Sequence, residues 1–138
     1  MEKACERVGR YGPLVGRILL ALIFLFSGYA KIGGFSKVAA GMAAKGVPFA
    51  ELALVVTIIV EIAGGLMLIF GWKARWAALA LFLWLIPVTL LFHNFWAVEQ
   101  AQYQNQFNHF MKNLCILGGL LYVMAFGAGP VSIDGRKR

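Results

Sequence analysis

The chain has 138 residues, of which 61% are apolar and only 14% charged, with a formal net charge of +7 and a mean hydropathy of +0.77. Soluble domains carry about 25% charged residues, so a water-soluble globule is excluded and lipid must be part of the solvent. The basic residues sit between apolar runs rather than along one stripe, as topology signals facing anionic lipid do, which argues against nucleic acid as a partner.

The first apolar run, Ile18 to Ala30, is bounded by Arg17 and Lys31. It falls short of the ~20 residues that cross a bilayer core, and it spans, as a helix over about 14–33, if both cations snorkel outward along their own stems. A cleavable signal peptide is the rival reading, with Lys3, Arg7 and Arg10 ahead of the run and Gly28-Tyr29-Ala30 as a small-x-small site; a retained helix is the expectation adopted. Ser36 then opens a stretch, Lys37 to Lys45, that suits a short interfacial helix ended by Gly46-Val47-Pro48. The second span covers about 49–70 and is interrupted near its middle by Glu61. The third, about 75–95, contains Pro87 and ends at His93-Asn94. Trp96 to Lys112 mixes Gln and Asn with aromatic residues, the blend of a membrane interface. A fourth span, about 111–127, closes on the helix-stop sequence Gly127-Ala128-Gly129-Pro130.

The expected fold is therefore all-α, a single integral-membrane bundle of four helices. Four spans place both termini on one side. Lys3, Arg7, Arg10, Arg17, Lys73, Arg75, Arg136, Lys137 and Arg138 share that side, nine of thirteen Lys and Arg, against Lys31, Lys37, Lys45 and Lys112. By the positive-inside rule the richer side is cytoplasmic. The runs Glu61-Ile62-Ala63-Gly64-Gly65-Leu66 and Cys115-Ile116-Leu117-Gly118-Gly119-Leu120 lie on spans that cross in the same direction. They read either as a duplicated hairpin or as coincidence, and in both cases Gly64, Gly65, Gly118 and Gly119 offer surfaces for close helix packing. Cys5 and Cys115 fall at different depths and do not pair; Cys5 reads as a free thiol and Cys115 as a small core residue.

Glu61 is the most informative residue. About ten residues from the outer start of its helix, it sits ~15 Å deep, near the bilayer midplane. At helical spacing Thr57, Glu61, Gly64, Gly65 and Leu68 share a face, so the acid points where helices approach most closely. Two readings stand: a protonated or paired carboxyl that locks helices together, and a proton-linked or ligand-binding acid. Lys31 is either a snorkelling anchor or a cation turned inward toward Glu61 or an anionic ligand. His93, with Thr89 one turn earlier and Asn94 beside it, suits a pocket. His93 and His109 share the outer side, but no recognised ligand spacing accompanies them, so haem is disfavoured and no metal site is assigned. Aromatic residues at the span ends suit interfacial anchoring and also permit a flat ligand such as a quinone.

These residues resemble the DoxX family of small bacterial inner-membrane proteins. The matching stretches are Gly16-Arg17, Phe24-Leu25-Phe26-Ser27-Gly28 with Lys31 and Phe35, Gly46-Val47-Pro48, Glu61-Ile62-Ala63-Gly64-Gly65 and Phe70-Gly71-Trp72-Lys73-Ala74-Arg75. Others are His93-Asn94-Phe95-Trp96, Phe110-Met111-Lys112-Asn113-Leu114, Gly127-Ala128-Gly129-Pro130 and Ser132-Ile133-Asp134. The resemblance implies a four-helix membrane bundle, some of whose relatives are subunits of quinone-linked oxidoreductases acting on sulfur compounds or partners in complexes that detoxify radicals. No cysteine pair or cofactor-ligand motif suggests that this chain performs redox catalysis alone.

The leading expectation is a redox-linked subunit that binds a quinone or similar lipid-soluble molecule in the outer half of the bundle, among Lys31, Glu61 and His93. The alternatives are a non-catalytic scaffold that assembles through its glycine surfaces with itself, as a homo-oligomer, or with a redox enzyme, and a small oligomeric transporter.

Overall fold

The computed structural model describes residues 1–137. Its helices are α1 (Glu2–Gly33), α2 (Phe35–Ala44), α3 (Ala50–Phe70), α4 (Ala74–Phe92) and α5 (Gln100–Phe126), with short 3-10 turns at Phe95–Ala97 and Asp134–Lys137, and no strand occurs among the described residues. Four segments are long and apolar enough to cross a membrane: α1, α3, α4 with the turn through Ala97, and α5. The fold is an all-α membrane bundle.

Two helices run beyond the expected spans. α1 has 32 residues, about 48 Å at 1.5 Å per residue, against a hydrocarbon core of ~30 Å. Residues 1–11 are exposed on every side. α5 begins at Gln100 and takes most of the outer connection into its first turns. Gln is a good helix former, and Gln104 Nε2 donates to Asn108 Oδ1 one turn on, at 2.9 Å, so this polar stretch continues the helix.

α1 lies along α3, α3 along α4 and α4 along α5, whereas α1 and α5 barely meet. The central core gathers Ala21, Phe24, Leu68, Ala77, Ala78, Leu81, Leu85 and Leu120. Close approach depends on missing side chains: a Cβ on Gly64 would sit 2.8 Å from Leu81 Cγ, and one on Gly65 2.8 Å from Leu25 Cδ2. That glycine pair is therefore filled from within the chain and offers no face for assembly. The second pair is used differently, since Gly118 has no neighbour within 4 Å and Gly119 meets only Leu20. Cys115 is exposed on α5 rather than a core residue, and both cysteines are free.

Neither cation flanking the first apolar run snorkels outward. Arg17 is only 2% exposed and caps the end of α3. Its Nη1 donates to Leu68 O at 2.5 Å and to Ile69 O at 3.0 Å, and its Nη2 to Val131 O at 2.7 Å. The last carbonyls of a helix have no partner in their own ladder and carry partial negative charge, so a buried guanidinium is stable there. Gly71, at φ 62, turns the chain out of α3, and a Cβ there would strike Ser132 and Arg17.

The C-terminal segment is tied to the same turn. Ile133 N donates to Phe70 O at 3.1 Å and Asp134 N to Gly71 O at 2.9 Å. The Asp134 carboxylate accepts from Lys73 N and Ala74 N, both at 2.9 Å, and so caps the start of α4. The beginning of α1, the α3–α4 turn and the C-terminal segment thus occupy one end of the bundle, the end that the Lys and Arg count expects to be the inner one. Arg138, counted with the basic residues of that end, lies outside the described residues, as does the side chain of Lys137.

Candidate functional site: a cavity walled by Lys31, Glu61 and His93

The direction in which side chains lean explains what Lys31 does. On a helix they tilt toward its N-terminus. α1 runs away from the end that holds the C-terminal segment, so Lys31 leans back toward that end; α3 runs toward it, so Glu61 leans away from it. The two meet. Lys31 Nζ lies 3.0 Å from each Glu61 carboxylate oxygen and also donates to Ser27 Oγ, while Ser27 Oγ donates to Glu61 Oε1 at 3.3 Å. The Glu61 side chain is 8% exposed and that of Lys31 24%. Thr57, Gly64, Gly65 and Leu68 are buried with it, on the face the spacing predicts. An isolated charge at this depth is costly. The pair is net neutral, and all three ammonium protons have an acceptor.

This pair forms one wall of a cavity of about 260 Å³. Lys31 contributes from α1, Val38 and Met42 from α2, and Val47 from the following loop. α3 supplies Ala53, Thr57 and Glu61, and α4 supplies Trp84, Pro87, Val88, Leu91, Phe92 and, at its end, His93. Lys31, Glu61 and His93 therefore border one space. α2 roofs it, packing Ala39 and Met42 against Leu54 of α3 with Phe92 beside them. Leu91 in the wall is 45% exposed, which places that side toward lipid. Thr57 adds no free donor, because its hydroxyl bonds Ala53 O at 2.7 Å. Trp84 does: its Nε1 is buried with no partner.

His93 is held from behind. Its Nδ1 is 3.0 Å from Gln106 Oε1, and its ring stacks on His109 at 5.0 Å between centroids. Gln106 Oε1 is an acceptor, so the Nδ1–H tautomer fits and Nε2 keeps its lone pair. Thr89 and Asn94, expected beside His93, do not line the cavity. Thr89 instead joins α4 to α5, donating to Leu85 O at 2.7 Å and accepting from Asn113 Nδ2 at 3.0 Å. Phe95 anchors the outer connection, with ring centroids 5.1 to 5.6 Å from those of Trp96, Tyr103, Phe107 and Phe110. Among the described residues no group of three or more His, Cys, Asp or Glu could hold a metal ion.

Sequence reasoning missed the roof formed by α2, the unpartnered indole of Trp84 and the cap made by Arg17. Trp84 reads as an ordinary apolar-span aromatic, and only its neighbours show that its N–H is unmet. The signal for α2 was present in Ser36 to Pro48, but not what it would cover.

Comparison with known proteins adds a family relationship. A family model described as DoxX matches residues 12–94. The chain is 38% identical over 123 residues to "Inner membrane protein YqjF" of Escherichia coli (strain K12), covering 89% of each chain. It is 27% identical over 123 residues to "Inner membrane protein YphA" of the same organism, covering 89% of this chain and 88% of that one. A "Surfeit locus protein 4 homolog" of Schizosaccharomyces pombe is 28% identical over 130 residues, which are 93% of this chain but 38% of that protein. No solved structure matches.

Proposed function

Given that the chain belongs to the DoxX family, we propose that it is a bacterial inner-membrane protein, with both termini in the cytoplasm, that binds a quinone or similar lipid-soluble carbonyl compound in the outer cavity and serves as the membrane partner of a redox enzyme. The location follows the names of its relatives. The orientation follows the excess of Lys and Arg at the inner end. The observation that carries the ligand reading is the convergence of Lys31, Glu61 and His93 on one mostly apolar cavity with Trp84 and Phe92.

The fit is to a ring, not to a whole lipid. At about 260 Å³ the space lies just under the ~300–1,000 Å³ usual for small-molecule sites, so a quinone head group would sit inside and its tail would leave past Leu91. Once bound, a quinone supplies reversible uptake of two electrons and two protons. Lys31 Nζ would donate to one carbonyl oxygen by giving up its bond to Ser27, and Trp84, whose N–H is buried without a partner, would turn it toward the ring as a second donor. Glu61 would take up a proton from water and pass it to one reduced carbonyl oxygen, and His93 would take one at Nε2 from the aqueous side and pass it to the other, steadied by Gln106. Electrons come from the partner enzyme.

Quenching of Trp84 fluorescence by a short-chain quinone, in detergent-solubilised protein whose other tryptophans are replaced by Phe, tests this directly. Glu61→Gln, Lys31→Met and His93→Ala should each weaken binding about tenfold or more, the loss of one hydrogen bond to a charged or buried partner. Unchanged affinity in all three would reject the site. A scaffold role without a ligand draws on the open face around Gly118, and under it Glu61→Gln would leave complex formation intact.

A further inference from the structure

Two adjacent cavities open toward the inner end. One, of about 590 Å³, is walled by Lys73, Arg75, Trp76, Phe126 and Asp134, among others. The second, of about 750 Å³, is the groove left where α1 and α5 fail to close. Phe126, Gly127 and Gly129 line both, so the two spaces lie side by side along this strip of chain. The groove runs from Gly12 to Ile23 on α1 and from Phe126 back to Lys112 on α5, about 16 and 21 Å at 1.5 Å per residue. One leaflet of a ~30 Å core is ~15 Å deep.

We propose that this pocket and the groove beside it together bind one anionic phospholipid, with its phosphate at Lys73 and Arg75 and an acyl chain along the groove. The charges favour it. Arg75 gives one N–H to Ala125 O at 3.2 Å and has four of its five donors left. Arg17, buried at the inner part of the groove, bonds only neutral carbonyls and adds positive potential that the nearby Asp134 offsets in part. Asp134 is the acid in the same wall, and it is engaged by the amides of Lys73 and Ala74. Trp76 and Phe126, 67% and 70% exposed, stand where aromatic residues meet lipid head groups. The groove itself is apolar along Leu19, Leu20, Ile23, Ile116 and Val123. A cationic mouth beside an apolar slot at least one leaflet deep matches a phospholipid, whereas an identical copy would bring its own Lys73 and Arg75.

Native mass spectrometry from detergent micelles doped with phosphatidylglycerol or phosphatidylcholine tests this. One phosphatidylglycerol per chain should be retained and phosphatidylcholine should not. Lys73→Gln with Arg75→Gln should weaken retention about 30-fold, at ~1 kcal/mol for each cation and tenfold per 1.4 kcal/mol. Gly16→Leu should weaken it with every charge intact, because a side chain there meets no protein atom and fills the groove. Circular dichroism confirms that both variants fold. Equal retention of the two lipids, or indifference to both variants, would overturn the assignment. So would displacement of the lipid by glycerol phosphate, which would leave only a soluble-phosphate site, and so would a Cys115–Cys115 cross-link in membranes, which would put a second copy over the groove.

Discussion

Replacing Lys31 by Met removes the ammonium and keeps most of the stem. It deprives Glu61 of both 3.0 Å bonds and leaves Ser27, at 3.3 Å, as its remaining donor, with the carboxyl side chain only 8% exposed. Breaking a buried pair from one side costs about 3–5 kcal/mol. The lower end, about 3 kcal/mol, is expected here, because a carboxyl stranded in hydrocarbon can take up a proton rather than stay charged. Glu61→Gln should cost less, about 1–2 kcal/mol, because Lys31 lies near the end of α1 and its ammonium can swing toward the interface. The double variant holds no charge, so its cost should fall about 2 kcal/mol below the sum of the single ones. Unfolding by SDS titration in mixed micelles, run on the four proteins as a cycle, reads this coupling. Additivity within about 0.5 kcal/mol would refute the view that the two groups act as an ion pair inside the membrane.

The glycines give a sharper contrast. Gly65→Ala must displace the Leu25 side chain, since the new carbon would lie 2.8 Å from its Cδ2 and 2.9 Å from its Cγ, and should destabilise by about 1–2 kcal/mol; Gly118→Ala meets nothing within 4 Å and should be neutral or slightly stabilising in the same titration. Arg17→Lys retains the charge but loses the fork that reaches carbonyls of both α3 and the C-terminal segment. It should cost about 2 kcal/mol and quicken proteolysis around Val131 to Gly135, and a cleavage rate equal to that of the parent would show that Arg17 does not hold the segment.

Glu61 shows how far a sequence can be read. A carboxylate deep in an apolar run has to leave the lipid, and its spacing from Thr57, Gly64, Gly65 and Leu68 is enough to say toward which face. Arg17 and Lys31 show where reading stops. Both are single cations at the edges of one apolar run, and nothing local distinguishes them. One caps α3 and the other neutralises Glu61 because of what α3 brings beside each. The two Gly-Gly pairs divide in the same way: Gly64 and Gly65 are filled by Leu81 and Leu25, while Gly118 faces out.

Membrane character, the number of spans and the face that Glu61 takes were thus set by the chain itself, because transfer into hydrocarbon is a sum over neighbouring residues and helix pitch decides which residues share a face. The partner of Glu61, the roof over the outer cavity and the gap between α1 and α5 were decided only by tertiary packing. Each depends on contacts between residues distant along the chain, and those exist only once the helices have chosen their neighbours.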